Sequence, residues 1–455
     1  MPRPSKVAVF GLDGVPFGLL ERFFMEGHMP RLAEVAARGT FVKMKSTLPA
    51  ISSVAWASFM TGANPGEHGI FGFTDLQHGE IALRLPSFDD IRCPTVWHRA
   101  GGKRALVVNL PFTYPARPLE GILVAGFVAP LFERAVYPSD LIPWLQSKGY
   151  RTDVNSVAAR EDRRILIRDL FETLHVHGEV MAALVSREPW DLFIGVITGT
   201  DRLHHFLYEA HDNPSHAFYR DFIDYYRTVD SVVGSVLDRI GPDCAVMVLS
   251  DHGFTHLHCD VYLNQVLRTL GVLSFSRPNP QSLADIAPRS LAFAMDPTRI
   301  YLHSRERFSK GTLSPAACEE IRGRLKHDLA RMRLHDVGIR GASGVDADEP
   351  LFDRVVLRED VYHGAQADHG PDLVVVPRRG YDVKATLKIS AATSKDIFTG
   401  MHTHDDAFLI VDDPAIAERM PEPEISDVAG LALEILGTPS PGGRNWIASD
   451  VRVVR

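Results

Sequence analysis

The sequence predicts an α/β protein, a three-layer sandwich with a mostly parallel central sheet, helices on both faces and an inserted cap. Compact apolar runs alternate with longer amphipathic stretches, the pattern of strands packed between helices. Three of those runs end in a turn that carries an aspartate, at the strand ends where open parallel sheets gather their ligands. No internal repeat breaks the alternation.

The expected buried strands are Val7–Phe10, Arg104–Asn109, Leu192–Ile197, Ala245–Leu249, Leu373–Val376 and Phe408–Val411. Each is short and largely apolar, as a strand covered on both faces must be. Helical periodicity is expected over Met29–Arg38, Leu166–Ser186, Phe218–Ile240 and Pro315–Met332. From about Ser274 to Arg289 the chain is rich in Pro, Ser and Asn and reads as a loop or linker. The pattern stays irregular to about Tyr362, so the cap is placed at 266–362, inserted into a core formed by 1–265 and 363–455.

At 455 residues the chain is long enough for two or three domains of roughly 150 residues each. It is 45% hydrophobic and 23% charged, an ordinary globular balance able to bury a large core. Gly 35 and Pro 30 fall well short of a low-complexity composition. Disorder, collagen and coiled coil are excluded.

The net charge of −8 argues against binding a nucleic-acid polymer or an anionic membrane, both of which favour basic surfaces. A phosphate substrate stays open, because a metal ion can supply positive charge locally. The four cysteines, Cys93, Cys244, Cys259 and Cys318, are scattered without a CxxC, which suggests neither a disulfide framework nor a zinc finger. No apolar run approaches the roughly 18 residues that span a membrane. Met1 to Lys6 leads straight into Val7-Ala8-Val9-Phe10, leaving no room for the apolar core of a signal peptide. A cytoplasmic protein is expected.

The three strand ends are Gly11-Leu12-Asp13-Gly14, Thr198-Gly199-Thr200-Asp201 and Ser250-Asp251-His252-Gly253. One such Asp is usually a turn or cap residue. Three together, two of them accompanied by His, point to a metal site. Asp201 and His205 are four apart and share a face if the segment is helical; His204 lacks that spacing. Asp251 and His252 are adjacent at a tight strand end, where Gly253 permits an unusual turn. Mixed carboxylate and imidazole ligands suit zinc, and also manganese or iron, better than magnesium or calcium. A further histidine comes from Phe398–Asp406, where spacing alone does not choose between His402 and His404. His256 and His258 rank below His402.

Thr47–Gly62 reads as a loop and then a short helix closed by Gly62, with Ser52 or Ser53 at its N-terminus. The plain role there is an N-cap. A hydroxyl at a helix N-terminus beside a metal can also be deprotonated and attack phosphorus. In the turn Asn64-Pro65-Gly66-Glu67-His68-Gly69, His68 reads as structural.

These motifs resemble the type I phosphodiesterase and nucleotide pyrophosphatase branch of the alkaline phosphatase superfamily. The resemblance runs through Gly11–Gly14, Met29–Leu32, Thr61–Ile70, Thr200–His205, Ser250–Phe254 and Gly400–His402. Their order and combination are specific, and they span nearly the whole chain. The resemblance implies an alkaline phosphatase-like fold and two divalent metals, zinc with manganese as the alternative. One metal would be held by Asp201, His205 and His402, the other by Asp13, Asp251 and His252. It selects Ser52 as nucleophile, bridging toward the second metal, because the family's nucleophile lies nine residues before the Thr of its Thr-Gly pair. It selects His402 because the family's histidine follows its glycine by two.

One departure bears on substrate. Nucleotide pyrophosphatases of this type carry an Asn where Phe73 stands, and Phe73 cannot donate that hydrogen bond to a phosphoryl oxygen. Arg202, beside a ligand, is a candidate phosphate contact. The implied activity is hydrolysis of a small-molecule phosphate ester, a diester or pyrophosphate, through a phosphoseryl intermediate on Ser52. A phosphomonoesterase or phosphomutase on the same scaffold is the alternative, and a homologue that binds without turnover is a third reading. No Cys/Ser-x-Pro-x-Arg segment is present, which argues against a sulfatase.

Overall fold

The structure is a computed structural model, and it describes residues 4–339, 346–413 and 416–438. The chain divides into two compact units, Met1–Ala63 with Ser87–Phe254 and His402–Arg455, and Asn64–Pro86 with Thr255–Met401. The span 266–362, expected as a cap, falls in the second unit, which also takes in 64–86, 255–265 and 363–401.

The first unit is built on an eight-stranded sheet. In chain order its strands are β1 (Lys6–Leu12), β2 (Thr40–Met44), β3 (Ala105–Leu110), β4 (Gly121–Ala125), β5 (Val136–Tyr137), β6 (Leu192–Ile197), β7 (Cys244–Leu249) and β8 (Ala407–Val411). In space they run β2-β8-β7-β1-β6-β3-β4-β5. The middle of the sheet, β7-β1-β6-β3-β4, is parallel. β8, β2 and β5 join it antiparallel at the two margins.

Every residue of β3, β6, β7 and β8 is buried, which explains why these strands are continuous apolar runs rather than alternating ones. Helix Arg163–Arg187 packs on β6 and β3 and against helix Tyr219–Leu237, and helix Asp427–Ile435 packs on β1 and against helix Ser52–Thr61. The observed α/β architecture with its large, mostly parallel sheet is the expected fold class.

Register decides where function can collect. β1 lies between β6 and β7, with Leu12 opposite Ile197 and Gly11 opposite Leu249. The three aspartate turns therefore leave one edge of the sheet side by side.

The second unit holds a four-stranded antiparallel sheet formed by Ala292–Met295, Arg299–Leu302, Leu373–Pro377 and Phe352–Leu357. Helix Pro315–Arg331 packs on it. Its core includes Phe293, Ile300, Leu325, Leu329, Leu373 and Val375. Leu373–Val376, expected among the strands of the main sheet, is thus a strand of this second one.

Candidate metal and nucleophile site

Asp13, Asp251 and His252 sit just past strands, Ser52 and Asp201 on the first turn of a helix, His205 one turn further along the helix of Asp201, and His402 in the strand Gly400–Thr403. Asp13 follows β1, and its backbone N–H donates to Ile197 O at 3.0 Å. Gly14 comes next with φ +67°, a conformation that disfavours any side chain, and a Cβ there would lie 3.0 Å from the Phe254 ring. That backbone path aims Gly14 N–H at Asp251 Oδ1, 3.0 Å away, and Val15 N–H at Ser250 Oγ, 2.9 Å away. The turns after β1 and β7 are thereby tied together.

Asp201 and His205 lie on helix Gly199–Leu207. Thr200 Oγ1 donates to Asp13 O at 2.6 Å. His204, the neighbour that spacing set aside, bonds Gly14 O through Nδ1 at 2.8 Å and the Tyr226 hydroxyl through Nε2 at 2.7 Å. Because a carbonyl only accepts, Nδ1 carries the proton and Nε2 accepts from Tyr226. Burial pushes the His204 pKa down to about 3, which keeps this brace neutral.

Gly253 departs from expectation. Its φ is not left-handed; the constraint is close approach, since a Cβ would lie 2.4 Å from Thr403 Oγ1 and 2.8 Å from the backbone of Asp406.

Asp13, Asp251 and His252 form one cluster. His252 Nε2 is 3.3 Å from Asp251 Oδ2 and 3.7 Å from Asp13 Oδ1. Asp201, His205 and His402 form the other: His402 Nε2 is 3.1 Å from Asp201 Oδ1 and 3.0 Å from His205 Nε2, with His205 Nε2 3.4 Å from Asp201 Oδ1. The rings of His252 and His402 stack at 3.7 Å, so the clusters adjoin, and His252 also falls within reach of Asp201 and His402. His402 is the histidine brought here, while His404 supplies its carbonyl to Ser46 N–H.

The tautomers indicate what the clusters would hold. His252 Nδ1 lies 3.1 Å from Gly253 O and His402 Nδ1 lies 3.0 Å from Ala50 O. Each Nδ1 must therefore be protonated, which turns each Nε2 lone pair toward carboxylate oxygens. Asp251 Oδ2 is fully buried without a hydrogen-bond partner. Lone pairs facing lone pairs in a buried site repel unless a cation lies among them, so the donor set fits divalent metal ions.

The electrostatics agree. Burial, then the charges of Asp251 and Asp201, hold the Asp13 pKa well above the carboxylate range. Burial pushes Asp251 up to about 7, against the opposing Gly14 N–H. Burial also raises Asp201, but the positive charge that His205 and His402 carry when protonated outweighs it and holds the group well below its ordinary value, the place a cation would take when the rings are neutral. Burial, reinforced by His402, depresses His252.

Ser52 opens helix Ser52–Thr61, whose ten residues are all buried. Neither Ser52 nor Ser53 caps it: Ile51 holds the cap position, and Gly62 closes the other end at φ 60°. Ser52 Oγ lies 3.3 Å from Asp13 Oδ1 and 3.2 Å from His252 Nε2. Ser53 Oγ is buried without a partner. One turn on, Trp56 Nε1 donates to Asp13 Oδ2 at 3.0 Å. Sequence reasoning missed Trp56, although its spacing of four from Ser52 puts both on one helix face. Arg202 directs its N–H groups at Asp201 and Asp153. Phe73 belongs to the second unit, where it is half-buried, and His68, also there, is fully buried and accepts from Ile70 N–H.

Among the described residues no helix is long and apolar enough to cross a membrane. Among curated proteins none matches the chain significantly. Solved structures similar to it include phosphonoacetate hydrolase from Sinorhizobium meliloti 1021 in complex with phosphonoacetate. That match is 17% identical with a TM-score of 0.61, over 95% of this chain and 96% of the other. Murine ectonucleotide pyrophosphatase/phosphodiesterase 5 is similar at 12% identity and a TM-score of 0.54, over 97% of both chains. At these identities the likeness is one of fold. The description type I phosphodiesterase / nucleotide pyrophosphatase matches residues 7–405. Spanning nearly the whole chain and all seven clustered side chains, that match makes this protein a member of the type I phosphodiesterase/nucleotide pyrophosphatase family, hydrolases that act on phosphoric ester bonds.

Proposed function

We propose that the chain hydrolyses a small-molecule phosphodiester or pyrophosphate through a phosphoseryl intermediate on Ser52, with two divalent cations in the paired clusters. The observation that carries this reading is the placement of Ser52 Oγ, within 3.3 Å of Asp13 Oδ1 and 3.2 Å of His252 Nε2 on the first turn of a helix.

Asp201, His205 and His402 would hold one cation, and Asp13, Asp251 and His252 the other. Zinc suits the mixed donor set, with manganese the alternative. When bound, the cations supply positive charge that lowers the Ser52 pKa and offsets charge developing on the phosphoryl oxygens.

Ser52 Oγ attacks phosphorus as the alkoxide, its proton having passed to solvent. A P–O bond forms as the bond to the leaving group breaks. Water then cleaves the phosphoseryl bond and returns the serine. The helix fixes Ser52 by burial and aims Trp56 at Asp13, so the nucleophile and one ligand are positioned by the same element.

Phe73 offers no hydrogen bond to a phosphoryl oxygen, so nucleotides are one substrate class rather than the assigned one. The four cysteines are free, which fits the reducing cytoplasm.

The test is hydrolysis by zinc- or manganese-loaded protein of a nucleoside 5′-phosphate aryl ester against the simple aryl phosphate. A diester preference, lost in Ser52→Ala, is expected. A monoester preference would move the assignment to phosphatase or mutase, and activity retained in Ser52→Ala would overturn the nucleophile.

A further inference from the structure

The two carboxylate oxygens of Asp201 have different neighbours. Oδ1 faces His402 Nε2 at 3.1 Å and His205 Nε2 at 3.4 Å. Oδ2 accepts a hydrogen bond from Arg202 Nη1 at 2.9 Å. The same guanidinium turns another edge to Asp153: Nη2 donates to Oδ2 at 2.8 Å, and Nε lies 3.2 Å from Oδ2 and 3.3 Å from Oδ1. Forked pairing of this kind fixes angle as well as distance.

Arg202 Cζ lies 4.3 Å from the Phe127 ring centre, which covers one face of the guanidinium plane. The Arg202 and Asp153 side chains are only 16% and 15% exposed, so this is not a solvated surface pair. Asp153 is itself held in place. Its Oδ1 accepts from Val154 N–H at 2.9 Å. The loop around it is laced to helix Arg163–Arg187, where Asp169 accepts from Asn155 N–H at 2.6 Å and Thr173 Oγ1 accepts from Arg151 Nη2 at 2.8 Å.

We propose that Arg202 and Asp153 are a positioning pair that restricts Asp201 to a one-oxygen ligand in the His205–His402 cluster, an inference that rests on the two-cation reading above. A carboxylate free to present both oxygens can chelate, which raises the coordination number and takes a position that a substrate oxygen needs. Arg202 occupies the second oxygen and blocks that mode. Asp153 holds the guanidinium at the required angle. Lysine cannot replace Arg202 here, because a point charge on a flexible stem reaches one carboxylate and not both.

The test loads the full chain with cobalt(II). Affinity is read by competition with a chromophoric chelator, and coordination number by the visible d–d band, which is stronger for four-coordinate than for six-coordinate cobalt. Arg202→Lys and Asp153→Asn should each weaken one of two bound ions by about 10–100-fold, leave the other unchanged and dim the band. At saturating metal the KM for a phosphate ester should rise together with the dimming of the band, because the second carboxylate oxygen then takes the position that a substrate oxygen needs.

Unchanged cobalt affinity and spectrum with a raised KM would make Arg202 a substrate contact and overturn the proposal. A lowered melting temperature with unchanged cobalt binding would reduce the pair to a structural brace and also overturn it. A wild-type chain that binds no cobalt would overturn the two-cation reading itself, a failure visible without any variant. Arg202→Lys keeps the bulk and charge of the side chain, so the comparison survives if Asp153→Asn does not fold.

Discussion

Asp251 offers the sharpest separation between what the site costs the fold and what it does for catalysis. Its side chain is fully buried, Oδ1 accepts from Gly14 N–H, and Oδ2 has no hydrogen-bond partner. Burial lifts its pKa from 3.8 to about 7. Below 3.8 the carboxyl is protonated in folded and unfolded chains alike. Between 3.8 and about 7 the unfolded chain is ionised while the folded one is not, so stability falls as pH rises through this window. Above it, a shift of that size corresponds to about 4 kcal/mol, of which local relaxation leaves about half as a lower bound. Asp251→Asn keeps the Oδ1 acceptor, removes the charge and gives the second position an N–H that can donate to His252 Nε2. The metal-free variant should therefore melt about 4–8 °C above wild type at pH 8, at roughly 2 °C per kcal/mol, and only about 2–3 °C above it at pH 5, near the lower end of the window. Zinc should raise the melting temperature of the variant much less than that of wild type. Thermal scans of both proteins in chelator and in zinc, at the two pH values, make the comparison. A variant less stable than wild type at pH 8 without metal, or a gap independent of pH, would refute the reasoning.

Four further substitutions probe other parts of the account. Ser53→Ala removes a buried hydroxyl that pairs with nothing, so stability should hold or improve and turnover should stay near wild type. Ser52→Ala should lose about 10³-fold or more in kcat at full metal loading; steady-state kinetics on both separates the two serines. Trp56→Phe keeps an aromatic ring in the helix but deletes the donor to Asp13 Oδ2, and should weaken zinc binding about 10–100-fold, read by chelator competition. Burial depresses His177 from 6.5 to about 4, so the unfolded chain binds more protons between those values and stability is lost as pH falls through them. At pH 5 that loss is about 2 kcal/mol relative to pH 8. His177→Gln should not suffer it, so the stability gap between the two proteins should narrow by that amount on acidification. A gap unchanged in urea melts at the two pH values would count against a neutral buried His177.

How far the fold could be read depended on where the pairing partners lie. Strands β1, β3, β6, β7 and β8 were legible because burial on both faces makes each an unbroken apolar run. β2, Thr40–Met44, was missed: it lies at the sheet margin with a half-buried pattern, and its partner β8 is more than 360 residues away. β5 has two residues and no periodicity to detect. Leu373–Val376 was legible as a strand but not as part of a second sheet, since an apolar run does not state its partner. The segment 64–86 joins the second unit after helix Ser52–Thr61; Gly62 and Asn64-Pro65-Gly66 mark a turn there, but a turn does not state that the chain passes to another unit.

The site divides along the same line. Asp13, Asp201 and Asp251 stood out because each follows an apolar strand, and His205 because helical spacing ties it to Asp201. Spacing left His402 and His404 equal; what separates them in space is the bond from His402 Nδ1 to Ala50 O, 352 residues distant in sequence. Asp153 carried no signal at all, being one acidic residue in an irregular loop whose partner lies 49 residues on.

The central claim is that six side chains from separate parts of the chain form two adjoining metal sites around Ser52. Zinc counted per chain by elemental analysis after equilibrium dialysis tests it most directly. Two zinc ions per wild-type chain are expected, and one each in His205→Ala and Asp251→Asn. A wild-type chain that retains none, or variants that both retain two, would contradict the account.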